Sequence, residues 1–138
     1  MLQQRRVVLT GVGAITPVGN SIPEFWDAVI NGKSGAGPLT AFDPSFFSTK
    51  IAAQVKNFDA TKYMNVKQAK RLDIFVKYAL AAAKDAYADS HLDPNKINPD
   101  RVGVYIGSGI GGLHTVESEH KKYLELGPEK GPDKMSPF

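Results

Sequence analysis

Three glycines have the spacing of a phosphate-binding loop. Gly107, Gly109 and Gly112 fit the pattern G-x-G-x-x-G and follow an apolar run at residues 102–106. Between a strand and a helix, such a loop can present backbone amides to a pyrophosphate. The dinucleotide fingerprint also needs a second strand that ends in an acidic residue about 20 positions on, and residues 127–131 read GPEKG with no strand-like run before them. A nucleotide-binding α/β module is therefore one alternative, and close backbone packing explains the glycines equally well.

Metal and nucleophile chemistry have weaker support. His114, Glu117 and His120 are spaced by three residues, which brings them only loosely onto one helix face, and no fourth ligand lies nearby. We expect exposed polar side chains there, with no metal and no cofactor. The chain has no cysteine, and its serines show no local signature of an activated hydroxyl. The sequence itself therefore contains no recognisable nucleophile.

A basic cluster is the third chemical feature. Lys67, Lys70 and Arg71 stand at i, i+3 and i+4, so they share one face of a predicted helix. No acidic residue occurs between Asp59 and Asp73. A solvated helix surface explains such a cluster. A docking patch for an acidic partner, which it would steer electrostatically, explains it as well.

Periodicity predicts the elements that would position these residues. Residues 7–10 and 102–106 are β-branched apolar runs typical of strands buried on both faces of a parallel sheet. A further strand is predicted at residues 50–55. One long helix is predicted from about residue 66 to 90, with alanines along its inner stripe that allow close approach of another element. Another helix follows the glycine loop to about Leu126, so the pattern indicates an α/β layered domain.

The first helix has clear boundaries. Ser21 and Glu24 have the spacing of a capping box, in which the hydroxyl accepts from the N3 amide and the carboxylate reaches back. Gly32 follows Asn31 and suits the left-handed C′ position. Apolar residues at helical spacing predict that this helix buries one face, formed by Phe25, Trp26, Val29 and Ile30.

Composition gives broad limits. The 138 residues are 42% hydrophobic and 22% charged, and their net charge of +3 falls short of a nucleic-acid signature. No run of about 18 apolar residues predicts a membrane span, and the run after Arg6 is too short for a signal peptide. We expect a cytoplasmic protein that binds neither nucleic acid nor membrane.

Four motifs in register resemble β-ketoacyl-acyl-carrier-protein synthases of the elongating type II kind. They occur in order and at sensible spacing, and the resemblance covers essentially all 138 residues. Each motif is modest alone, although the four together are specific. They are RRVVLTGVG at residues 5–13 with TPVGN at 16–20, FW at 25–26 with GKSG at 32–35, IGSGIGG at 106–112, and MSPF at 135–138.

The resemblance implies a thiolase-like layered fold, of which residues 1–138 are the N-terminal part of the first half and an incomplete domain. It also implies a homodimer and a decarboxylating Claisen condensation in fatty-acid synthesis. In that reaction a cysteine accepts the acyl chain from acyl carrier protein, and two histidines promote loss of carbon dioxide from malonyl-ACP. The cysteine and histidines are expected beyond Phe138, so no catalytic role is assigned to His91, His114 or His120, and the chain alone is expected to be inactive.

Supporting roles do carry over from the family. Ile110 matches the residue that gates the acyl pocket, and Phe138 adjoins a segment that reaches the partner's pocket in the dimer. Carrier-protein docking is implied for a group of cations, Lys67, Lys70, Arg71 and Lys134, although Asp133 stands where the family often has a second basic residue. A non-catalytic partner subunit like the chain-length factors of polyketide systems is the main alternative, because it shares the fold and lacks the nucleophile.

Overall fold

The computed structural model describes residues 5–127, and its first helix begins and ends as predicted. Helix α1 spans Ile22–Ile30. The Ser21 hydroxyl accepts from the amide of Glu24 at 3.4 Å, and the Glu24 carboxylate accepts from the amide of Asn20 at 2.7 Å. Gly32 closes the helix with a φ of +61°. Local sequence therefore determines both ends of α1.

A short antiparallel hairpin follows α1. Strand β1 spans Ala36–Pro38 and strand β2 spans Ile51–Ala53, with Gly37 opposite Ala52. The strand predicted at residues 50–55 is confirmed by β2. The tripeptide of β1 has no β-branched or aromatic residue, and therefore gave no strand signal.

The long helix predicted at residues 66–90 is wrong, because the structure divides it into α2 (Val66–Arg71) and α3 (Ile74–Asp89). Helix α2 begins with a capping box, in which Asn65 accepts from the amide of Gln68 at 2.9 Å and Gln68 accepts from the amide of Asn65 at 3.2 Å. The chain then leaves helical geometry, with ψ of 145° at Leu72 and 155° at Asp73. Aspartate favours this extended N-cap conformation, and in this position it starts a second helix.

Helix α3 is closely approached by the glycine-rich segment near the N-terminus. A Cβ atom on Gly11 would overlap the carbonyl oxygen of Ala86, and one on Gly13 would overlap that of Ala82. The prediction that the alanine stripe allows close approach is confirmed. Ala81 on the same helix is fully buried.

Helix α4 spans Leu113–Leu126, so the helix predicted after the glycine loop is also confirmed. Gly112 is its N-cap and has a φ of +76°, a left-handed conformation that favours glycine. Two single-turn 3₁₀ helices, Ala60–Lys62 and Pro99–Arg101, complete the elements described. No helix in residues 5–127 is both long and apolar enough to cross a membrane.

The two predicted parallel strands are wrong for the described structure. Residues 7–10 and 102–106 pair with nothing in residues 5–127, and Leu9 is 90% exposed and Tyr105 97% exposed. A strand needs a partner strand, and none of the residues that the structure describes forms one beside these two runs. The predicted buried face of α1 is also wrong, because Trp26, Val29 and Ile30 are exposed, although Phe25 is partly buried. Burial of a helix face requires an element packed against it, just as a strand requires a partner.

The accessible surface is large for the chain's mass. It measures 11800 Å² for 15.0 kDa, whereas a compact monomer of that mass exposes about 7,000 Å². Among the described residues, the buried apolar side chains are Ala28, Met64 and Ala81. Much of the apolar surface therefore has no counterpart within the described part of the chain.

Candidate functional site

Helix α2 carries the first part of the candidate site. Lys67, Lys70 and Arg71, hereafter the basic patch, are all exposed. Among residues 5–127, none of the three forms an ion pair; the pairs that do form lie elsewhere, such as Lys33 with Asp27 at 2.6 Å. Unpaired cations keep their full field toward solvent, so the basic patch is suited to an anionic partner.

Tyr63 holds the segment just before α2 against α3. Its hydroxyl donates to the Asp85 carboxylate on α3 at 2.9 Å, and its backbone carbonyl accepts from the Lys84 ammonium. Its ring stacks on Phe58 at 6.2 Å, and Phe58 meets Tyr78 edge-on at 4.9 Å. Together these contacts hold the start of α2 against the middle of α3.

Burial raises the pKa of Tyr63 above its usual value of 10.0, and the hydrogen bond to Asp85 and that residue's negative charge add to the rise. Burial alone raises the pKa of Tyr78. Both phenols therefore stay neutral at physiological pH. Their part in the site is to position α2.

The glycine loop, residues 107–112, carries the second part. Ile110 is 83% exposed. The ring of Phe75 lies against Gly111, where a Cβ atom would come within 2.7 Å of its Cε2 and Cζ atoms. The loop is therefore held on its C-terminal side by the first turn of α3, while Ile110 itself projects freely.

An open groove of about 570 Å³ brings the two parts together. Lys70 and Arg71 from the basic patch and Ile110 from the glycine loop all line it, whereas Lys67 does not. Leu72 and Leu113 add apolar surface. The groove therefore combines cations with apolar side chains and with polar groups such as Thr115 and Ser118. Its cations suit a ligand with an anionic end, and its apolar side chains suit an alkyl or thioether portion.

Glu119 lies inside this groove and is 2% exposed. Its Oε1 atom accepts from the Lys122 ammonium at 2.7 Å, while its Oε2 atom has no hydrogen-bond partner among the described residues. The groove is lined by three cations, Lys70, Arg71 and Lys77, and by two carboxylates, Asp73 and Glu119. Because Lys122 also offsets Glu119, the charge around the groove remains positive.

Asp73 and Thr115 are site residues that the sequence analysis missed. The Thr115 hydroxyl donates to the Asp73 carboxylate at 2.5 Å and joins the start of α3 to the first turn of α4. Asp73 had a local signal, since aspartate before an apolar run is a typical N-cap. No local signal in the sequence indicates its hydrogen bond with Thr115, which lies 42 positions away.

Two predicted site residues, Lys134 and Phe138, lie outside the described residues. Within residues 5–127, no group of three or more histidine, aspartate or glutamate side chains is placed to hold a metal ion. Residues 102–106, which lie directly before the glycine loop, form no strand with the other described residues. The strand-turn-helix context that a dinucleotide site requires is therefore missing there.

Comparison with known proteins shows the family to which the chain belongs. Residues 4–137 match the family model described as the β-ketoacyl synthase N-terminal domain. The 3-oxoacyl-[acyl-carrier-protein] synthase 2 of Coxiella burnetii is 44% identical over 137 residues, which are 99% of this chain and 32% of that protein. The protein of the same name in Vibrio cholerae is 45% identical over 137 residues, which are again 99% of this chain and 32% of that protein. The chain thus spans about a third of these relatives.

Solved structures show the same fold. A type II polyketide ketosynthase in complex with its acyl-carrier protein matches with a TM-score of 0.72 and 31% identity, over 94% of this chain and 33% of that chain. The ishigamide ketosynthase/chain length factor matches with a TM-score of 0.72 and 28% identity, over 95% of this chain and 33% of that chain. The thiolase-like fold expected from the resemblance is confirmed. The chain belongs to the β-ketoacyl synthase family, and its residues correspond to the N-terminal domain of that family.

Proposed function

We propose that residues 1–138 are the N-terminal part of an elongating β-ketoacyl-ACP synthase, an incomplete domain of a longer cytoplasmic enzyme of fatty-acid synthesis. The observation that carries the proposal is the match of residues 4–137 to the β-ketoacyl synthase N-terminal domain. Relatives named 3-oxoacyl-ACP synthase 2 that are 44–45% identical support the choice of substrate class.

The proposed reaction is a decarboxylating Claisen condensation. A cysteine thiolate attacks the acyl thioester and releases the carrier thiol, which leaves the acyl group on the enzyme. Malonyl-ACP then loses carbon dioxide, and the electron pair of the broken bond attacks the acyl-enzyme carbonyl. The β-ketoacyl-ACP product leaves and the cysteine is regenerated. Because this chain has no cysteine, the nucleophile and its two histidines belong to sequence beyond Phe138.

The role of this chain in the reaction is to dock the carrier and shape the acyl pocket. The basic patch would bind acidic side chains of acyl carrier protein, with Lys134 as a second contact. Its exposure and its lack of ion pairs within residues 5–127 support this assignment. Ile110 would gate the acyl pocket, as the resemblance to the family implies, and its place in the lining of the groove beside Lys70 and Arg71 supports this assignment. Phe138 would contribute to the pocket across a homodimer interface.

The test is the mass of the protein purified from its native source, before and after incubation with acyl-ACP. The relatives' lengths imply a mass about three times 15.0 kDa. We expect that mass to rise by one acyl group, and alkylation of the cysteine to abolish the rise. A protein that never gains an acyl group would contradict the proposal.

A non-catalytic partner subunit is the second candidate. It is favoured by the likeness to the ishigamide ketosynthase/chain length factor. Such a subunit would shape the pocket of an active partner and would not accept an acyl group. The residue at the nucleophile position separates the two candidates, because cysteine there supports a synthase and any other residue supports a partner subunit.

A further inference from the structure

Asp73 connects the end of the basic patch to the glycine loop. It is two residues beyond Arg71 and is the N-cap of α3, yet its side chain makes no capping hydrogen bond to that helix. The Oδ1 atom accepts instead from the Thr115 hydroxyl at 2.5 Å. An N-cap aspartate usually accepts from the second or third amide of its own helix, so this carboxylate serves a contact between two helices.

The second oxygen of the same carboxylate lies against the glycine loop. A Cβ atom on Gly112 would stand 3.2 Å from Asp73 Oδ2, and Gly112 has a φ of +76°. Gly111 is covered by the ring of Phe75. The two residues that follow Ile110 are therefore both held by the start of α3.

The chain between the basic patch and Asp73 is short and non-helical. Leu72 alone separates Arg71 from Asp73, and its ψ of 145° ends α2. A shift at the end of α2 would therefore reach Asp73 through one residue. The start of α2 is held to the body of α3 by the hydrogen bond from Tyr63 to Asp85. Hydrogen bonds accepted by a carboxylate are short and strong. A displacement of Asp73 would therefore displace Thr115 as well.

We propose that Asp73, through its hydrogen bond with Thr115, is a positioning residue that couples carrier docking on the basic patch to the placement of Ile110. This inference rests on the proposed function, since it needs a carrier protein that docks on α2. Carrier binding would change the contacts of α2, and the Asp73–Thr115 bond would pass that change to the glycine loop. Coupling between two sites is typically worth 5- to 150-fold in affinity.

Hydrogen exchange of the full-length protein, with and without acyl carrier protein, tests the coupling. In the wild type we expect the carrier to slow exchange in α2 and also in residues 107–112. Thr115→Val should keep the slowing in α2 and reduce that in the loop by about fivefold or more. Thr115→Ser, which retains the hydroxyl, should show the wild-type slowing of exchange in residues 107–112. Asp73→Asn keeps the side-chain shape and loses the charge, so its slowing in the loop should lie between those of the wild type and Thr115→Val.

Thr61→Val is the matched control. The Thr61 hydroxyl also donates to an N-cap aspartate, Asp59, at 2.6 Å, but the two residues are only two positions apart and lie within one turn. This variant should behave as the wild type. The inference is overturned if the loop is slowed equally in Thr115→Val, if Thr61→Val loses the slowing too, or if α2 alone responds in the wild type. A wild type in which the carrier leaves α2 unchanged would instead contradict the proposed docking function, and this inference would fail with it.

Discussion

The backbone of Gly13 lies against the carbonyl oxygen of Ala82 so closely that a Cβ atom on Gly13 would overlap it. Gly11 has the same relation to Ala86, one turn further along α3. Between them, the amide of Val12 donates to the Asp89 carboxylate at 2.9 Å. The N-terminal segment is thus fixed on α3, the helix whose other end supports the glycine loop.

Replacing Gly13 with alanine should destabilise the protein. The added methyl group must displace the backbone of α3, and overpacking of this kind costs roughly 1–3 kcal/mol. Gly37→Ala is the control, because nothing lies within 4 Å of a Cβ atom there, and its effect should stay within about 1 kcal/mol. Urea unfolding of the full-length variants measures both. Equal midpoints for the two variants would contradict the close contact.

Tyr63→Phe should remove both a hydrogen bond and a pH dependence. At neutral pH the loss of the bond to Asp85 should cost about 1 kcal/mol. Because the pKa of Tyr63 is raised in the folded protein, its contribution is complete below pH 10 and is lost as the pH rises through the raised value. Wild-type stability should therefore fall above about pH 10 more steeply than that of the variant.

Tyr87→Phe serves as its control, since Tyr87 is 50% exposed and its hydroxyl forms no hydrogen bond with the described residues. Thermal unfolding from pH 8 to pH 11 gives the comparison. Parallel curves for the wild type and Tyr63→Phe would show that Tyr63 does not titrate with a raised pKa.

Reversing the charge of the basic patch should weaken carrier docking. Glutamate at Lys67, Lys70 and Arg71 should raise the KM for acyl-ACP by about tenfold or more, leave the KM for a small acyl thioester nearly unchanged, and reduce the dependence of the acyl-ACP reaction on salt. Steady-state kinetics at two ionic strengths measures each effect.

An equal change of net charge elsewhere provides the control. The control variant reverses the charge of three cations that form surface ion pairs, Lys33, Lys96 and Lys121. Because such pairs contribute little to stability, this variant should change the KM for acyl-ACP and the KM for the small thioester alike. A similar rise in KM for acyl-ACP in both triple variants would show that net charge matters and that the basic patch does not.

Ile110→Phe should narrow the proposed acyl pocket. The larger ring would fill space that long acyl chains need, so kcat/KM should fall about tenfold or more for long acyl-ACP substrates and less for short ones, as the loss of pocket contacts worth 1–3 kcal/mol implies. A series of acyl-ACP lengths measures the change. An equal loss at every length would assign Ile110 a structural role alone.

Local features of the fold could be predicted from the sequence. The ends of α1 follow from Ser21, Glu24 and Gly32, which act within one turn of the chain. The close approach to α3 follows from its small residues. Strand pairing for residues 7–10 and 102–106 could not be predicted in the same way, because a strand forms only beside a partner and none lies in residues 5–127.

The break between α2 and α3 shows a different limit. The helical period continues across Leu72 and Asp73, so periodicity predicts one helix. Asp73 interrupts the helix although its carboxylate makes no capping hydrogen bond to α3. The carboxylate accepts from Thr115 instead, a contact between residues distant in sequence that periodicity does not report. For the site, the cations and Ile110 could be named from motifs, but their meeting in one groove needed the fold.

The most direct test of the central claim is carbon dioxide release by the full-length protein supplied with acyl-ACP and malonyl-ACP labelled in its free carboxyl group. The account predicts that labelled carbon dioxide and a β-ketoacyl-ACP two carbons longer appear in equal amounts, and that both depend on the carrier protein. If neither forms, this chain does not belong to an elongating synthase.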